Sequence, residues 1–400
     1  MNKTTDNTAD HVVIVAARRT PLGSLQGALS TMSASELGSN AIRAVMADTA
    51  IDSASIDEVF MGCVLPAGVG QAPARQAALL AGLTPSVPCT TINKVCGSAM
   101  KTIMLAHDTI KAGSANRVIA GGMESMSNAP YLLPKARGGY RLGHHTVVDH
   151  MFFDGLENAS DNQLMGHFAE RCVDQYGFSR QQQDAFAIES VTRAKQAIAS
   201  GAFKQETIPL TLTIKGKEIH IDKDEQPYKS NIDKIPQLKP VFRDTGGSVT
   251  AANSSSISDG AAAVLLMRHS DATHNNVTPL ASIVAHTSYA HAPEDFTTAP
   301  AHAINALYKR TGWTDNDVDL YEINEAFAVV TLAAMHDLKL DHAKVNVNGG
   351  ACALGHPIGA TGARIVVTLI HALQQRHLKR GIASLCIGGG EATAIAVEII

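Results

Sequence analysis

An α/β core made from a duplicated unit, with a segment of different character inserted between the copies, is what this sequence of 400 residues predicts. Three observations predict it. Apolar runs of strand length alternate with segments of helical spacing. Ala41-Ile42-Arg43-Ala44 through Ile56-Asp57-Glu58-Val59 aligns without gaps on Ala303-Ile304-Asn305-Ala306 through Val318-Asp319-Leu320-Tyr321, at a constant offset of 262 residues. Between the two copies, over 124–250, Gly, His, Asp, Lys and Gln rise and the apolar periodicity breaks.

The elements follow in order. Residues 11–17, His-Val-Val-Ile-Val-Ala-Ala, are a continuous apolar run and read as a buried strand, and 18–33, with Pro21, read as a loop. Leu37, Ala41, Ile42, Val45 and Met46 share one face of a helix over 35–50. A strand at 56–62 and a helix around 73–82 come next. Strands opening each half (11–17 and 280–285) and closing each half (117–122 and 384–390) strengthen the parallel. Val118-Ile119-Ala120-Gly121-Gly122 resembles Cys386-Ile387-Gly388-Gly389-Gly390 at an offset of 268. Inside the insertion, Ser179 is placed to cap a helix that stops at Gly201, and Leu210 to Ile221 reads as a hairpin turning at Lys215-Gly216-Lys217. The divisions expected are a first core half at 1–123 completed by 251–275, an inserted loop domain at 124–250, and a second core half at 276–400.

Composition excludes several classes. Hydrophobic residues make up 45%, charged residues 18% and aromatics 4%, which with 32 glycines suits a tightly packed enzyme and not a disordered chain. A net charge of −4 argues against nucleic-acid binding. No apolar run approaches the roughly 20 residues of a membrane helix. Met1 to Asp10 is polar and has no apolar stretch of a secretory signal. Six cysteines are scattered without a Cys-x-x-Cys pair, so the expectation is a cytoplasmic protein with reduced thiols and no disulfide framework.

Chemistry gathers at four places. Cys96, in Thr91-Ile92-Asn93-Lys94-Val95-Cys96-Gly97-Ser98-Ala99-Met100, sits where a β-prone run gives way to a helical pattern. Helix N-termini present unpaired N–H groups and a positive dipole, which biases a thiol toward the nucleophilic thiolate. Buried cysteines are common and inert, but Gly97, Ser98 and Ala99 leave room for a ligand here; Cys63, Cys89, Cys172 and Cys352 lack such a setting and read as structural. His356 lies in the glycine-rich run Gly349 to Gly362, which fits neither nucleotide-binding motif and suits a fixed base for the thiol. A second thiol, Cys386, precedes three glycines and could move a proton. Asn324-Glu325-Ala326-Phe327 places an amide and a carboxylate at a strand end. His144-His145 and Asp149-His150 match no usual metal spacing, so no metal site is expected.

With these segments in this order, and Gly121-Gly122-Met123-Glu124-Ser125-Met126-Ser127 beside them, the chain resembles the thiolase family over nearly its whole length. The resemblance implies two similar halves stacked as five layers, αβαβα, with the inserted loop domain covering a coenzyme A site. It implies a Claisen condensation of two acetyl-CoA to acetoacetyl-CoA, or the reverse thiolysis, with CoA thioesters as substrates and no other cofactor. In those roles Cys96 becomes acylated, His356 takes its proton, and Cys386 removes the α-proton of the second acetyl-CoA. Backbone N–H groups of Cys96 and Gly388 form one oxyanion hole; His356 and a water held by Asn324 form the other. Ser255 matches a serine near the pantetheine, Met165 a methionine of the acyl pocket, and Phe242 packs on the CoA. Glu325 supports the site without touching substrate. The chain departs from many relatives at Ala252, Ser256 and Leu164, and has Tyr228 and Lys229 where an arginine for the adenine or phosphate is expected. The family also implies a homotetramer joined near 131–150. Three other readings stand beside it: a degradative 3-ketoacyl-CoA thiolase for longer chains, a ketoacyl synthase, which the second thiol opposes, and a non-catalytic protein of this fold.

Overall fold

The computed structural model describes residues 10–214 and 216–400. The polar N-terminal stretch before Asp10, and Lys215 at the hairpin tip, lie outside the described residues. The first part of the chain runs β1 (Val12–Arg19), α1 (Ala34–Ala47), β2 (Glu58–Gly62), α2 (Pro73–Leu80), β3 (Cys89–Ile92), α3 (Ser98–Ala112) and β4 (Arg117–Ser125). After α4 (Met165–Tyr176) and α5 (Arg180–Ser200) come β5 (Ser258–Arg268), β6 (Ala281–Ala290), α6 (Ala299–Thr311), β7 (Leu320–Ile323), α7 (Ala328–Leu338), α8 (Thr361–Gln375), β8 (Arg380–Ile387) and β9 (Glu391–Ile399).

The strands stand in the order β7-β8-β9-β6-β1-β5-β4-β2-β3. Read outward from the β6/β1 junction, the two directions repeat: β6 and β1, β9 and β5, β8 and β4, β7 and β2 are counterparts, and β2–β4 and β7–β8 are the corresponding parallel pairs. The strands β1, β4, β5, β8 and β9 bury both faces. Ala262, Val264 and Leu266 of β5 join the central core, while Ala261, Ala263, Leu265 and Met267 join the core under α1 and α2. On β9, Ile395 and Val397 face the centre and Ala392, Ala394 and Ala396 the core under α6. This period of two across both faces divides the molecule into five layers, with α3 and α8 in the middle. Residues Thr361 to Leu373 of α8 are all buried, as an innermost helix must be.

Sequence expectations hold for most elements. Ser33 and Glu36 form a capping box at α1, and Ser179 and Gln182 another at α5, which stops at Gly201 with φ of 80°. The strands Leu210–Ile214 and Lys217–Ile221 pair as a hairpin.

Three expectations are corrected. The first strand does not stop at 17: Arg18 and Arg19 continue the ladder opposite Ala263 and Ala262, because Arg19 is buried in ion pairs with Glu206 and Asp224 that apolar patterning does not reveal. The glycine match at an offset of 268 is accidental. Val59 stands opposite Ile119 and Tyr321 opposite Ile382, so the counterpart of Ile119 is Ile382 and not Ile387. The insertion holds a second long helix, α4, whose Phe168, Ala169, Cys172 and Val173 form an apolar face hidden among polar neighbours.

Candidate active site

The chain leaves β3 and enters α3 through a tight turn. Asn93 Oδ1 accepts from the Val95 N–H at 2.9 Å, and Ser98 Oγ accepts from the Lys94 N–H at 2.8 Å while donating to the Val95 carbonyl at 2.7 Å. These bonds hold Val95 at φ 47°, a left-handed conformation disfavoured for a β-branched residue. The strained turn places Cys96 two residues before α3. A Lys94–Glu391 ion pair ties this turn to the end of the Gly388–Gly390 loop.

His356 reaches the same place from the other half. Gly355 adopts φ 107°, and a Cβ there would stand 2.1 Å from Ser258 Oγ, so only glycine fits. His356 Nδ1 lies 2.6 Å from Thr361 Oγ1, whose own proton goes to the Pro357 carbonyl at 2.9 Å. That hydroxyl can therefore only accept from the ring, so the proton is assigned to Nδ1 and the lone pair to Nε2. Nε2 is buried without a hydrogen-bond partner among the described residues. Burial, with Arg364 nearby, pushes the imidazole down to about 3, which keeps it neutral. Replacing Thr361 by Val is expected to free the tautomer and lower kcat on the order of 100-fold with KM little changed, as steady-state assays would show.

Cys96 departs from the sequence expectation. Its side chain faces a cavity, but its sulfur is enclosed, and burial pushes the thiol up to about 11 despite opposing hydrogen bonds from the Gly388 and Cys96 N–H groups. Desolvation outweighs those hydrogen bonds, so the resting sulfur is a thiol. Cys386 is fully buried and held well above the ordinary range by burial, with the charge of the neighbouring Cys96 acting in the same direction.

Cys96, His356, Gly388, Ser255, Met165 and Phe242 line one cavity of ≈ 300 Å³, together with Phe152, Leu156, Ile257, Phe296 and Phe327. Cys386 and Asn324 are not on its wall. Cys386 lies beneath, packed in a cluster with Phe168, Phe296, Phe327, Met165 and Phe242. Asn324 is buried, and neither Nδ2 nor Oδ1 of its amide has a partner among the described residues. Phe242 covers Gly166, where a Cβ would meet its ring at 2.3 Å. Glu325 is spent on structure: it accepts from Ser190 at 2.7 Å, Asn346 at 2.8 Å and the Cys352 N–H at 3.0 Å.

Glu124 went unrecognised in the sequence as an individual residue. It is buried at the end of β4, accepts from the Val64 and Leu65 N–H groups at 2.9 and 3.2 Å, and burial raises it to about 7. A Cβ on Gly359 would stand 2.4 Å from its carboxylate, so Glu124 ties the β4 end to the loop that follows His356. A carboxylate inside an apolar strand was the available signal. His144, His145 and His150 do not assemble; His150 Nδ1 instead meets Asp154 at 2.6 Å.

The two central helices set the spacing of the reactive groups. A Cβ on Gly362 would stand 2.3 Å from the Met100 backbone nitrogen, so α8 and α3 touch there. Gly362→Ala is expected to push them apart, lowering kcat about 100-fold and destabilising by about 1–3 kcal/mol, measurable by steady-state assay and thermal unfolding.

A family model described as "Thiolase, N-terminal domain" matches residues 12–270, and one described as "Thiolase, C-terminal domain" matches 277–399. The chain is 49% identical over 97% of its length to "Acetyl-CoA acetyltransferase 1" of Arabidopsis thaliana, covering 94% of that protein. Among solved structures it is similar to the acetyl-CoA acetyltransferase of Bacillus anthracis (TM-score 0.95, 41% identity, 98% of this chain and 99% of that one). It is also similar to the Acat5 thiolase of Ascaris suum in complex with coenzyme A (TM-score 0.92, 41% identity, 98% of this chain and 100% of that one).

Proposed function

This chain belongs to the thiolase family, and we propose from that premise that its cavity joins two acetyl-CoA into acetoacetyl-CoA and CoA, or runs the reverse thiolysis, through an acyl-Cys96 intermediate. The observation that carries the reading is one cavity shared by the Cys96 thiol and a neutral His356 whose lone-pair nitrogen has no partner among the described residues.

Each proton then has a place to go. Cys96 gives its proton to His356 Nε2 as the sulfur attacks the thioester carbonyl, and the N–H groups of Cys96 and Gly388 receive the developing oxyanion. The C–S bond to CoA breaks, and the departing CoA thiolate takes the Cys386 proton, leaving a Cys386 thiolate and a protonated His356. That thiolate is strongly basic in its buried surroundings, so it can remove the weakly acidic α-proton of the second acetyl-CoA. The enolate oxygen meets protonated His356 and the Asn324 amide side. The enolate carbon attacks the acyl group, the Cys96 sulfur leaves, and His356 returns the proton to it.

Ser255, Met165 and Phe242 are assigned to the pantetheine and acyl group on the strength of the wall they share. The segment 124–250 is assigned as the CoA-covering domain between the halves 1–123 (with 251–275) and 276–400. A cytoplasmic location is supported by six free cysteines, and among the described residues no helix is long and apolar enough to cross a membrane. Assembly as a homotetramer is supported by the exposed Tyr131, Leu133, Leu142 and Val147 in the segment 131–150.

The deciding measurement is the substrate-length profile in the thiolysis direction. Met165, Phe296 and Phe327 close the cavity with bulky side chains, so acetoacetyl-CoA is expected to be preferred over 3-ketohexadecanoyl-CoA in kcat/KM. A strong preference for the long chain would replace this reading with that of a degradative thiolase.

A further inference from the structure

Outside the catalytic cavity, two histidines and an aspartate meet between the halves of the core. His107 and Asp108 are adjacent on α3, and His286 comes from β6. Asp108 Oδ1 lies 3.0 Å from His107 Nδ1 and 2.9 Å from His286 Nε2, and the two ring nitrogens are 3.3 Å apart. These three atoms make a nearly equilateral triangle. The corners of a tetrahedron around a metal bonded at 2.0–2.1 Å stand about 3.3 Å apart.

We propose that His107 Nδ1, Asp108 Oδ1 and His286 Nε2 form a binding site for a late first-row divalent cation, Zn²⁺ above all. Two imidazoles and one carboxylate select such ions over Mg²⁺ or Ca²⁺, which need oxygen ligands. Three ligands leave a fourth position for water. That position faces solvent, because the Asp108 side chain is 55% exposed while the two rings are 15% and 12% exposed.

Without a cation, two N–H groups must point side by side at a single oxygen; a divalent ion would satisfy all three lone pairs at once. The nearby charge of Lys101, and that of Arg310, which donates to the His286 carbonyl at 2.7 Å, oppose a positive charge here. They set a limit on affinity without blocking the ligand atoms. None of the three residues lines the catalytic cavity. The ion would instead clip α3, the helix that begins beside Cys96, to the opposite half of the core.

The test uses the full chain without an affinity tag, with Cys96 alkylated by iodoacetamide so that its thiol cannot compete. Equilibrium dialysis against ZnCl₂ is expected to give one equivalent of zinc per chain, and Co²⁺ in its place to give the visible bands of a four-coordinate ion. Asp108→Asn, which keeps the side-chain shape, and His286→Gln are each expected to weaken binding at least about 10-fold, with circular dichroism unchanged. Zinc is expected to raise the thermal midpoint of the parent chain and not of either variant. No saturable binding tighter than about 1 mM, or variants that bind as the parent does, would overturn the proposal; the second result would place the metal on other ligands.

Discussion

Replacing Cys386 by Ala is expected to separate the two halves of the reaction. Cys96, the Gly388 N–H and His356 remain in place, so acetyl-CoA should still acetylate Cys96, detected as one acetyl group on the intact chain by mass spectrometry. Condensation should fall by about 10²–10⁴-fold, the usual contribution of a positioned acid–base group. The physical reason is the second step. The α-proton of a thioester is weakly acidic and needs a strong base, which burial makes of the Cys386 thiolate. Condensation surviving with little loss would remove Cys386 from the mechanism and favour a ketoacyl synthase type of chemistry. Because the side chain is buried among Phe168, Phe296 and Phe327, Cys386→Ser should accompany it as a variant of nearly equal volume.

Replacing His356 by Ala is expected to slow acetylation of Cys96 itself, again by about 10²–10⁴-fold. The size of this effect follows from the state of the thiol. With Cys96 raised to about 11 and His356 lowered to about 3, both groups are neutral between those values. The sulfur does not wait as a thiolate; its proton must leave during attack, and His356 Nε2 is the group able to take it. The sign of the pH dependence follows. As pH falls through His356's lowered value the ring becomes protonated and the base is lost, so kcat/KM should not decline on account of His356 between pH 8 and 5 (the range in which an ordinary histidine titrates). As pH rises toward the thiol's raised value, alkylation of Cys96 by iodoacetamide should keep accelerating. An alkylation rate that levels off below neutral pH would show a preformed thiolate–imidazolium pair and overturn this account.

The legible and illegible parts of the site differ in kind. Cys96, His356 and Cys386 were readable because each lies within two residues of a glycine, and Asn324 because it follows a strand; such punctuation is written locally. Gly355 and Gly97 carry that signal directly: their Cβ positions are filled by Ser258 and by Ile387. The protonation state of Cys96 was not readable. A sequence locates the helix start, but the burial that raises the thiol is set by remote segments, among them Ile387, which fills the space beside Gly97, and His356, which shares the cavity. Glu124 and Arg19 were missed for the related reason that a charge inside an apolar run is explained only by its partners. For Arg19 these are Glu206 and Asp224, which no local pattern connects to it.

By itself, then, the sequence determined the duplicated α/β plan, the elements aligned by the repeat, and the residue types able to perform acyl transfer. Those properties depend on periodicity, turn chemistry and spacing, which act over a few residues. The tertiary structure decided that β6 and β1 join the halves, that α3 and α8 meet at Gly362, and that His107 and Asp108 face His286 across that junction. It also decided that the nucleophile rests as a thiol. Electrostatic energies depend on distance and on how completely water is excluded, and both are set only when remote segments pack.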